Sequence, residues 1–319
     1  MELSVLIPAY NAEEKICKCL ECLENQTEKN FETVIIDDGS IDNTEAVIAA
    51  YKSRLKNLVY IKQENMGVAV TRQRLLARSS GSFVMFCDSD DYFEQNAVET
   101  VMNLMRVHDP DVLIFGYRLV RKNTSKQISR RALPEDLYDN YEWAIAHVNG
   151  LDDLYWSVLW NKCYKRSVFT HPKEIIFQRL IEDVTFNAEY LGRCKKIYIC
   201  EQVLYNYIQI GDSLTRGVRK DSRTQIEEAF SAFVHLDAVL HEAYPFLREN
   251  ISKDTYLRLN SLCDRARKLG DKSCIKEIKS SQKYQKIKQQ IGHEIVRIQM
   301  RRKYLKVRHA VAEVYHHWR

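Results

Sequence analysis

The sequence predicts an α/β fold, a mostly parallel β-sheet flanked by helices, followed by a mainly helical C-terminal region. Three observations predict it. Short apolar runs rich in Val, Ile and Phe alternate with amphipathic stretches over the first 120 residues. Polar clusters follow the first, second and fourth of these runs. From about residue 219 the apolar residues have helical spacing almost to the end, with breaks near Pro245 and Gly270.

The first 120 residues contain alternating strands and helices. The predicted strands are Ser4–Pro8, Phe31–Ile36, Leu58–Ile61, Phe83–Cys87 and Asp111–Gly116. The predicted helices are Glu13–Asn25, Asn43–Arg54, Val68–Arg78 and Gln95–His108. Alternation at this spacing indicates parallel strands covered on both faces. In such sheets ligands bind beyond the carboxyl ends of the strands, where the strand order reverses.

The composition is that of an ordinary globular protein, with 319 residues of which 45% are hydrophobic and 29% charged. No window approaches 18 consecutive apolar residues, so we predict no spanning helix. The first eight residues indicate a buried strand and not a signal peptide. The nine cysteines include no CxxC pair matched by a second one, which disfavours a zinc site or a disulfide framework. We therefore expect a cytoplasmic protein.

The positive charge is concentrated in the C-terminal tail. Residues 276–319 contain 12 Lys/Arg and 3 Asp/Glu, whereas the rest of the chain is slightly acidic. Apolar residues in this tail have helical spacing: Ile287, Ile291, Ile295, Ile298 and Leu305. Two interpretations stay open: a basic helix on the inner face of an anionic membrane, or a helix packed on the catalytic domain or on a second subunit. We predict no nucleic-acid partner.

Two acidic clusters follow predicted strands. Asp88-Ser89-Asp90-Asp91 comes directly after an apolar strand, and its acids repel one another unless a cation or hydrogen bonds compensate. A hard divalent ion would compensate them and would also bind nucleotide phosphates. A turn that caps the next helix is the alternative, and spacing alone does not decide. Asp37-Asp38-Gly39-Ser40 follows another strand, where capping and ligand binding are compatible.

Four ordered motifs over about 110 residues resemble the family-2 inverting glycosyltransferases with a GT-A fold. These are Ser4-Val5-Leu6-Ile7-Pro8-Ala9-Tyr10-Asn11, Val34-Ile35-Ile36-Asp37-Asp38-Gly39-Ser40, Glu64-Asn65-x-Gly67 and Phe86-x-Asp88-Ser89-Asp90-Asp91. The resemblance continues more loosely through Trp160-Asn161-Lys162-x-Tyr164 and Glu182-Asp183-x-x-Phe186-Asn187. It implies a bacterial enzyme of cell-surface polysaccharide or teichoic-acid type that moves a sugar from a UDP-sugar to a hydroxyl of a glycan or lipid-linked glycan.

The resemblance also implies a domain organisation. A GT-A catalytic domain would span residues 1–216, with a nucleotide-sugar half at 1–118 and an acceptor half at 119–216. A helical region with the basic tail would follow at 217–319.

The resemblance further implies roles for individual residues at the donor site. Asp90 matches the ligand of a manganese or magnesium ion, Asp88 matches the contact to ribose and phosphate, and Asp91 is placed against the donor sugar. Arg216 lies in a loop expected to close over the diphosphate. The remaining donor-binding positions are Pro8, Tyr10, Asp38, Asn65, Gly67 and Arg72. Gln73 departs from the commoner Asn, which weakens any role for it.

The pair Glu182-Asp183 is the predicted catalytic pair. Its position at the start of an amphipathic stretch favours a helix N-terminal acid. The resemblance instead implies that Asp183 is the catalytic base and Glu182 its orienter or alternate. For the nearby Trp156 and Trp160, core packing and sugar contact both stay open.

Two rival functions remain. A nucleotidyltransferase needs a Gly-rich loop with Lys or Arg after the first strand, and Ala9-Tyr10-Asn11-Ala12-Glu13 argues against it. A non-catalytic subunit that binds and stabilises an active transferase is disfavoured by the complete acidic set.

Overall fold

The computed structural model describes residues 1–121, 124–128, 134–147, 154–170, 175–177, 181–209 and 222–292. The chain divides into two compact units. The first comprises Met1–Arg219 with Glu242–Pro245, and the second comprises Lys220–His241 with Phe246–Arg319. The domain boundary predicted at residue 216 lies outside the described residues.

The first unit confirms the predicted alternation of strands and helices. Its strands are β1 (Leu3–Ala9), β2 (Phe31–Asp37), β3 (Leu58–Lys62), β4 (Phe83–Phe86), β5 (Tyr92–Phe93), β6 (Val112–Arg121), β7 (Thr124–Ile128), β8 (Asp136–Asp139), β9 (Lys162–Lys165) and β10 (Lys196–Gln209). Its helices are α1 (Ile16–Glu24), α2 (Thr44–Ala50), α3 (Val68–Arg78), α4 (Ala97–His108), α5 (Asn140–His147), α6 (Leu154–Ser157), α7 (Arg166–Thr170) and α8 (Glu182–Arg193).

These strands form one sheet in the order β3-β2-β1-β4-β9-β6-β10-β5. The first four strands are parallel, as are β6 and β10, whereas β9 runs antiparallel between β4 and β6. Strand β1 pairs with β2 on one side and β4 on the other, so the strand order reverses at β1. This is the place where an α/β sheet opens a crevice for a ligand.

The second half of the sheet is more mixed than the sequence predicts. Strand β10 is 14 residues long, with register irregularities against β6 between Ile199 and Tyr205. Strand–helix alternation stops after β6: β7, β8 and β9 pair antiparallel with their neighbours, whereas β10 runs parallel to β6. Strands β6 and β7 form an antiparallel hairpin.

The second unit is helical, as predicted. It contains most of α9 (Arg223–Ala243), α10 (Arg248–Lys268), α11 (Lys272–Ser280) and α12 (Gln282–Gln290). The predicted breaks are a 3-10 helix at Pro245–Leu247 and a turn at Gly270, where φ is +72°.

The core of the helical unit includes part of the predicted amphipathic tail. Ile287 and Ile291 are buried there with Leu259 and Leu262 from α10. Ile295, Ile298 and Leu305 lie outside the described residues. Within the described ranges no helix is both long and apolar enough to span a membrane.

Candidate active site

The carboxyl ends of β1, β2 and β4 bring the predicted donor residues to one edge of the sheet. Parallel pairing places Pro8 beside Ile36, and Ala9 beside Asp37. Asp88, Asp90 and Asp91 come directly after β4 and lie at the same edge, because β4 is parallel to β1. Tyr10 is 51% exposed there, so its ring is free to meet a ligand.

A tight turn after β2 is fixed by a buried carboxylate. Asp37 is fully buried, and its oxygens accept hydrogen bonds from the Ser40 amide at 2.8 Å and the Tyr60 hydroxyl at 3.0 Å. Gly39 has a φ of +78°, and a Cβ there would lie 2.8 Å from the Asn65 amide nitrogen. The turn therefore requires glycine and lies directly against the loop after β3.

Asp38 organises that loop. One of its oxygens accepts hydrogen bonds from Gln63 Nε2 at 2.7 Å and the Met66 amide at 2.8 Å. The other accepts from the Gly67 amide at 2.9 Å. Asn65 and Gly67 are exposed in the loop. The structure therefore gathers the predicted base- and ribose-binding residues, with Asp38 as their organiser.

One buried guanidinium connects the donor-side acid to the predicted catalytic pair. Arg72 lies on α3, and 6% of its side chain is exposed. It donates to Asp88 at 3.1 Å, to Glu182 at 2.8 Å and also to Asp183. Burial lowers the pKa of Arg72, but the three carboxylates raise it by more. Acids from the end of β4 and the start of α8 therefore share one counter-ion.

The predicted base lies in a strained and largely buried position. Ile181, directly before α8, has a φ of 48°, which costs about 1–3 kcal/mol in a β-branched residue. Burial raises the pKa of Asp183 from 3.8 to about 7; Arg72 opposes this effect, and Glu182 and Asp88 reinforce it. A carboxyl group with such a pKa is suited to exchange a proton near neutral pH.

Asp91 belongs to the framework of the protein. It is 1% exposed, and its oxygens accept hydrogen bonds from the Tyr205 hydroxyl at 2.8 Å and the Ile208 amide at 2.7 Å. Burial, and then Asp88 and Asp90, raise its pKa well above the usual range. The sequence motifs predict that Asp91 contacts the donor sugar. In the structure its oxygens are instead engaged by β10, because Tyr205 and Ile208 use both of them.

Asp90 is the carboxylate best suited to hold a divalent metal. It is partly exposed, and it forms no ion pair with another described residue. Burial and then Asp88 raise its pKa, and Lys15 opposes them, so a cation would relieve an uncompensated charge. The described ranges contain no group of three or more His, Cys, Asp or Glu arranged around a metal position. A metal at Asp90 would therefore take its other ligands from phosphates and water.

Several residues that support the site have no motif to mark them. Gln63, directly after β3, donates to Asp38, and Tyr205 on β10 donates to Asp91. No local pattern in the sequence predicts either contact. Gln73, judged weak from the sequence, accepts a hydrogen bond from the Phe177 amide at 3.1 Å.

Both predicted tryptophans are buried. Trp156 and Trp160 are 4% and 3% exposed, and Trp160 stacks on Tyr205 with ring centroids 4.6 Å apart. Their burial favours the core-packing interpretation. Arg216 lies outside the described residues.

The sheet order, with its reversal at β1, and the acids around Arg72 match the features expected of a GT-A glycosyltransferase. The Glycosyl transferase family 2 model matches residues 4–166, just over half of the 319 residues. The chain therefore belongs to glycosyl transferase family 2. This confirms the family resemblance drawn from the sequence motifs.

Relatives of known name support the same family. Glycosyltransferase GlyA of Streptococcus pneumoniae is 28% identical over 291 residues, which are 88% of this chain and 41% of GlyA. TarP of Staphylococcus aureus, a poly(ribitol-phosphate) β-N-acetylglucosaminyltransferase, is 29% identical over 217 residues, 66% of this chain and 63% of TarP. The chain thus spans less than two thirds of the length of either protein.

A solved structure confirms the fold. Residues 1–349 of Staphylococcus aureus TarS, crystallised with UDP-GlcNAc, superpose with a TM-score of 0.63 at 19% identity. The match covers 87% of this chain and 90% of that one. The predicted GT-A architecture is therefore confirmed.

Proposed function

We propose that the enzyme moves a sugar from a UDP-sugar to a hydroxyl group of a glycan or lipid-linked glycan, with inversion at the anomeric carbon. The observation that carries the proposal is the bridge through Arg72. It joins Asp88, which is predicted to contact the ribose and phosphate of the donor, to Asp183, whose pKa suits proton transfer. Inverting transfer requires a leaving-group site and a base within one site, and these acids meet that requirement.

Donor binding is assigned to the edge formed by β1, β2 and the loop after β3. The nucleoside would lie against Pro8 and the exposed ring of Tyr10, with Asn65 and Gly67 in the loop that Asp38 holds in place. Arg72 is almost fully buried with three carboxylate partners, so we assign it to orienting the acids beside the phosphates. Arg216 remains proposed as the cation that closes over the diphosphate.

Asp90 is proposed to hold Mn²⁺ or Mg²⁺. When bound, such an ion neutralises charge that develops on the departing diphosphate. Asp88 lies beside it and is kept oriented by Arg72 at 3.1 Å. Asp91 keeps the loop anchored to β10. Within this loop we therefore propose that Asp90 binds the metal, Asp88 contacts the donor and Asp91 anchors the loop to β10.

Asp183 is proposed to remove the proton from the acceptor hydroxyl. As the acceptor oxygen forms its bond to the anomeric carbon, the bond from that carbon to the UDP oxygen breaks, and the proton passes to the Asp183 carboxylate. An α-linked donor then gives a β-linked product. Glu182 shares the counter-ion Arg72 and is proposed to orient Asp183 or to substitute for it.

The names of two relatives suggest the first acceptor to test. TarP and a Bacillus spizizenii protein, which is 27% identical over 65% of this chain, are both named as poly(ribitol-phosphate) glycosyltransferases. We therefore propose a polyol-phosphate polymer as one acceptor class, alongside glycans and lipid-linked glycans.

The test is release of UDP from UDP-glucose and UDP-GlcNAc, with and without Mn²⁺, in the presence of poly(ribitol phosphate). Asp90→Asn should remove the dependence on Mn²⁺, and Asp183→Asn should remove transfer while the protein stays folded. Glu189→Gln is the matched control, because this carboxylate lies on the same helix in an ion pair with Arg193. Near-normal turnover by Asp183→Asn would show that the base is another group.

The same assay separates the enzyme from the non-catalytic alternative. A subunit that only stabilises another transferase would release no UDP from any donor, with or without acceptor. Binding of UDP without turnover in the purified protein would support that alternative.

The basic residues of the C-terminal tail are proposed to bring the enzyme to the inner face of the membrane or to a second copy of itself. Co-sedimentation with anionic phospholipid vesicles tests the first, and the mass in solution tests the second.

A further inference from the structure

The residue directly before α8 has a backbone conformation that its own side chain disfavours. Ile181 has a left-handed backbone, which a β-branched residue disfavours, and it lies two residues before Asp183. Contacts from elsewhere in the fold must therefore fix this end of the helix. Because a small displacement of a catalytic group costs much of the rate, those contacts bear directly on transfer.

Asn187 supplies the main attachment. It lies one helical turn after Asp183 and is 2% exposed. Its Oδ1 accepts a hydrogen bond from the Tyr164 hydroxyl at 2.7 Å. Its Nδ2 donates to the carbonyl oxygens of Ser157 at 2.8 Å and Val158 at 3.1 Å. All of these partners belong to β9 or to the segment just before it, so Asn187 ties α8 to that part of the chain.

Lys162 completes the attachment from β9. Its side chain is fully buried, and its Nζ donates to the Val158 carbonyl at 2.6 Å and to Asn161 Oδ1 at 2.7 Å. The Val158 carbonyl is thus shared by Lys162 and Asn187. Burial lowers the pKa of Lys162, and the charge of Asp183 opposes that effect. The buried amine of Lys162 therefore fixes the same carbonyl to which Asn187 donates.

We propose that Lys162, Tyr164 and Asn187 form a buried clamp, the α8 clamp, which positions the Asp183 carboxylate against the acceptor hydroxyl. These are positioning residues, because they act through the helix that carries Asp183. The proposal rests on the assignment of Asp183 as the base. It gives the Trp160-Asn161-Lys162-x-Tyr164 segment a role in catalysis that the donor contacts do not explain.

The decisive comparison is between two buried tyrosines that contact or lie on α8. Tyr164→Phe removes the hydroxyl that donates to Asn187. Tyr190→Phe is the matched control: its hydroxyl is equally buried on α8 and donates to the carbonyl oxygens of Asp111 at 2.7 Å and Lys165 at 3.0 Å. Both variants lose one buried hydroxyl, but Tyr190 lies two helical turns from Asp183, one turn beyond Asn187.

The full chain is assayed with UDP-GlcNAc and poly(ribitol phosphate) as the starting pair, or with the most active pair of the donor panel. Tyr164→Phe should lower kcat by between about tenfold and a hundredfold, with KM for the UDP-sugar unchanged. Tyr190→Phe should keep kcat within about threefold of the unchanged enzyme at a similar loss of Tm. Equal kcat losses in the two variants, or an unchanged kcat in Tyr164→Phe, would overturn the clamp.

A second variant tests the contribution of Lys162. Lys162→Met removes the two hydrogen bonds of the buried amine, to the Val158 carbonyl and Asn161 Oδ1, while a side chain of similar length fills its place. It should lower kcat with KM for the UDP-sugar unchanged, as Tyr164→Phe does. An unchanged kcat in Lys162→Met would show that Lys162 has no part in the clamp.

Failure of the clamp is distinguishable from failure of the proposed base. If Asp183→Asn keeps its turnover, the base assignment fails, and the clamp fails with it. If Asp183→Asn is inactive while Tyr164→Phe matches Tyr190→Phe, the base stands and only the clamp is wrong.

Discussion

Replacement of the proposed base should stabilise the protein while it abolishes transfer. In Asp183→Asn, the side chain keeps its shape and an oxygen that can still accept from Arg72, but it no longer carries a charge into a largely buried site. Catalytic groups are often kept at such a cost to stability, because the environment that tunes their pKa disfavours their ionised form.

The size of this stabilisation and its dependence on pH follow from the pKa of Asp183. Burial raises the pKa of Asp183 from 3.8 to about 7, so the folded protein binds this proton more tightly than the unfolded chain does. The corresponding stability is fully present below pH 3.8 and is lost as the pH rises towards 7. At about 1.4 kcal/mol for each pH unit, the upper limit of the loss is about 4 kcal/mol. Because 24% of the side chain is exposed and water screens it, we expect a gain of about 1–2 kcal/mol in Asp183→Asn at pH 8.

Urea unfolding followed by tryptophan fluorescence measures this difference, because three of the four Trp residues lie in the catalytic unit. The gain of Asp183→Asn over the unchanged protein should grow from pH 5 to pH 7 and level off at pH 8. Glu189→Gln should show no gain, since it only removes a partly exposed pair worth less than about 1 kcal/mol. A loss of stability in Asp183→Asn at pH 8, or a gain independent of pH, would refute the reasoning.

Three further substitutions test the framework of the site. Glu32→Gln should cost about 1–2 kcal/mol at pH 7 and leave turnover per folded molecule unchanged, because Glu32 accepts hydrogen bonds from two serines and a glycine at the far ends of the strands. Although burial raises the pKa of Glu32, those hydrogen bonds lower it below 4.5, so the cost should shrink as the pH falls through that value in urea titrations. Gly39→Ala should weaken UDP binding by about tenfold or more in calorimetric titrations, because the new Cβ would meet Asn65. Gly67→Ala, with a similar φ of +85° but open space around it, should cost only about 1 kcal/mol of stability.

The fold of the first 120 residues was predictable because its signals are local. Each strand of the first 120 residues is an apolar run, and each ends in polar residues that the chain itself displays in order. Parallel pairing then forces those polar ends to one edge, so Asp38 and Asp88 could be placed together without coordinates. The helical region was equally accessible, because Pro245 and Gly270 mark its breaks.

The part of the sheet formed by β5, β6 and β10 was less predictable because its contacts join distant segments. The strand β10 lies far along the chain, and only its pairing with β5 and β6 brings Tyr205 under the acidic loop. Asp91 illustrates the consequence. Its neighbours in sequence suggest a ligand-binding acid, whereas its two carboxylate oxygens accept hydrogen bonds from the Tyr205 hydroxyl and the Ile208 amide. Sequence spacing shows which acids are near one another, but burial decides which of them face a ligand.

Arg72 only partly neutralises the charge of the acids around it. A lone buried guanidinium with three carboxylates leaves a net negative cluster, which is stable only if a further cation or a proton is present. The raised pKa of Asp183 indicates that a proton fills this role in the free enzyme. Binding of a divalent ion at Asp90 would add positive charge near Asp88 and favour the ionised form of Asp183. The ion would thereby favour the ionised base, so addition of Mn²⁺ to the enzyme without donor should lower the pH at which Asp183 loses its proton.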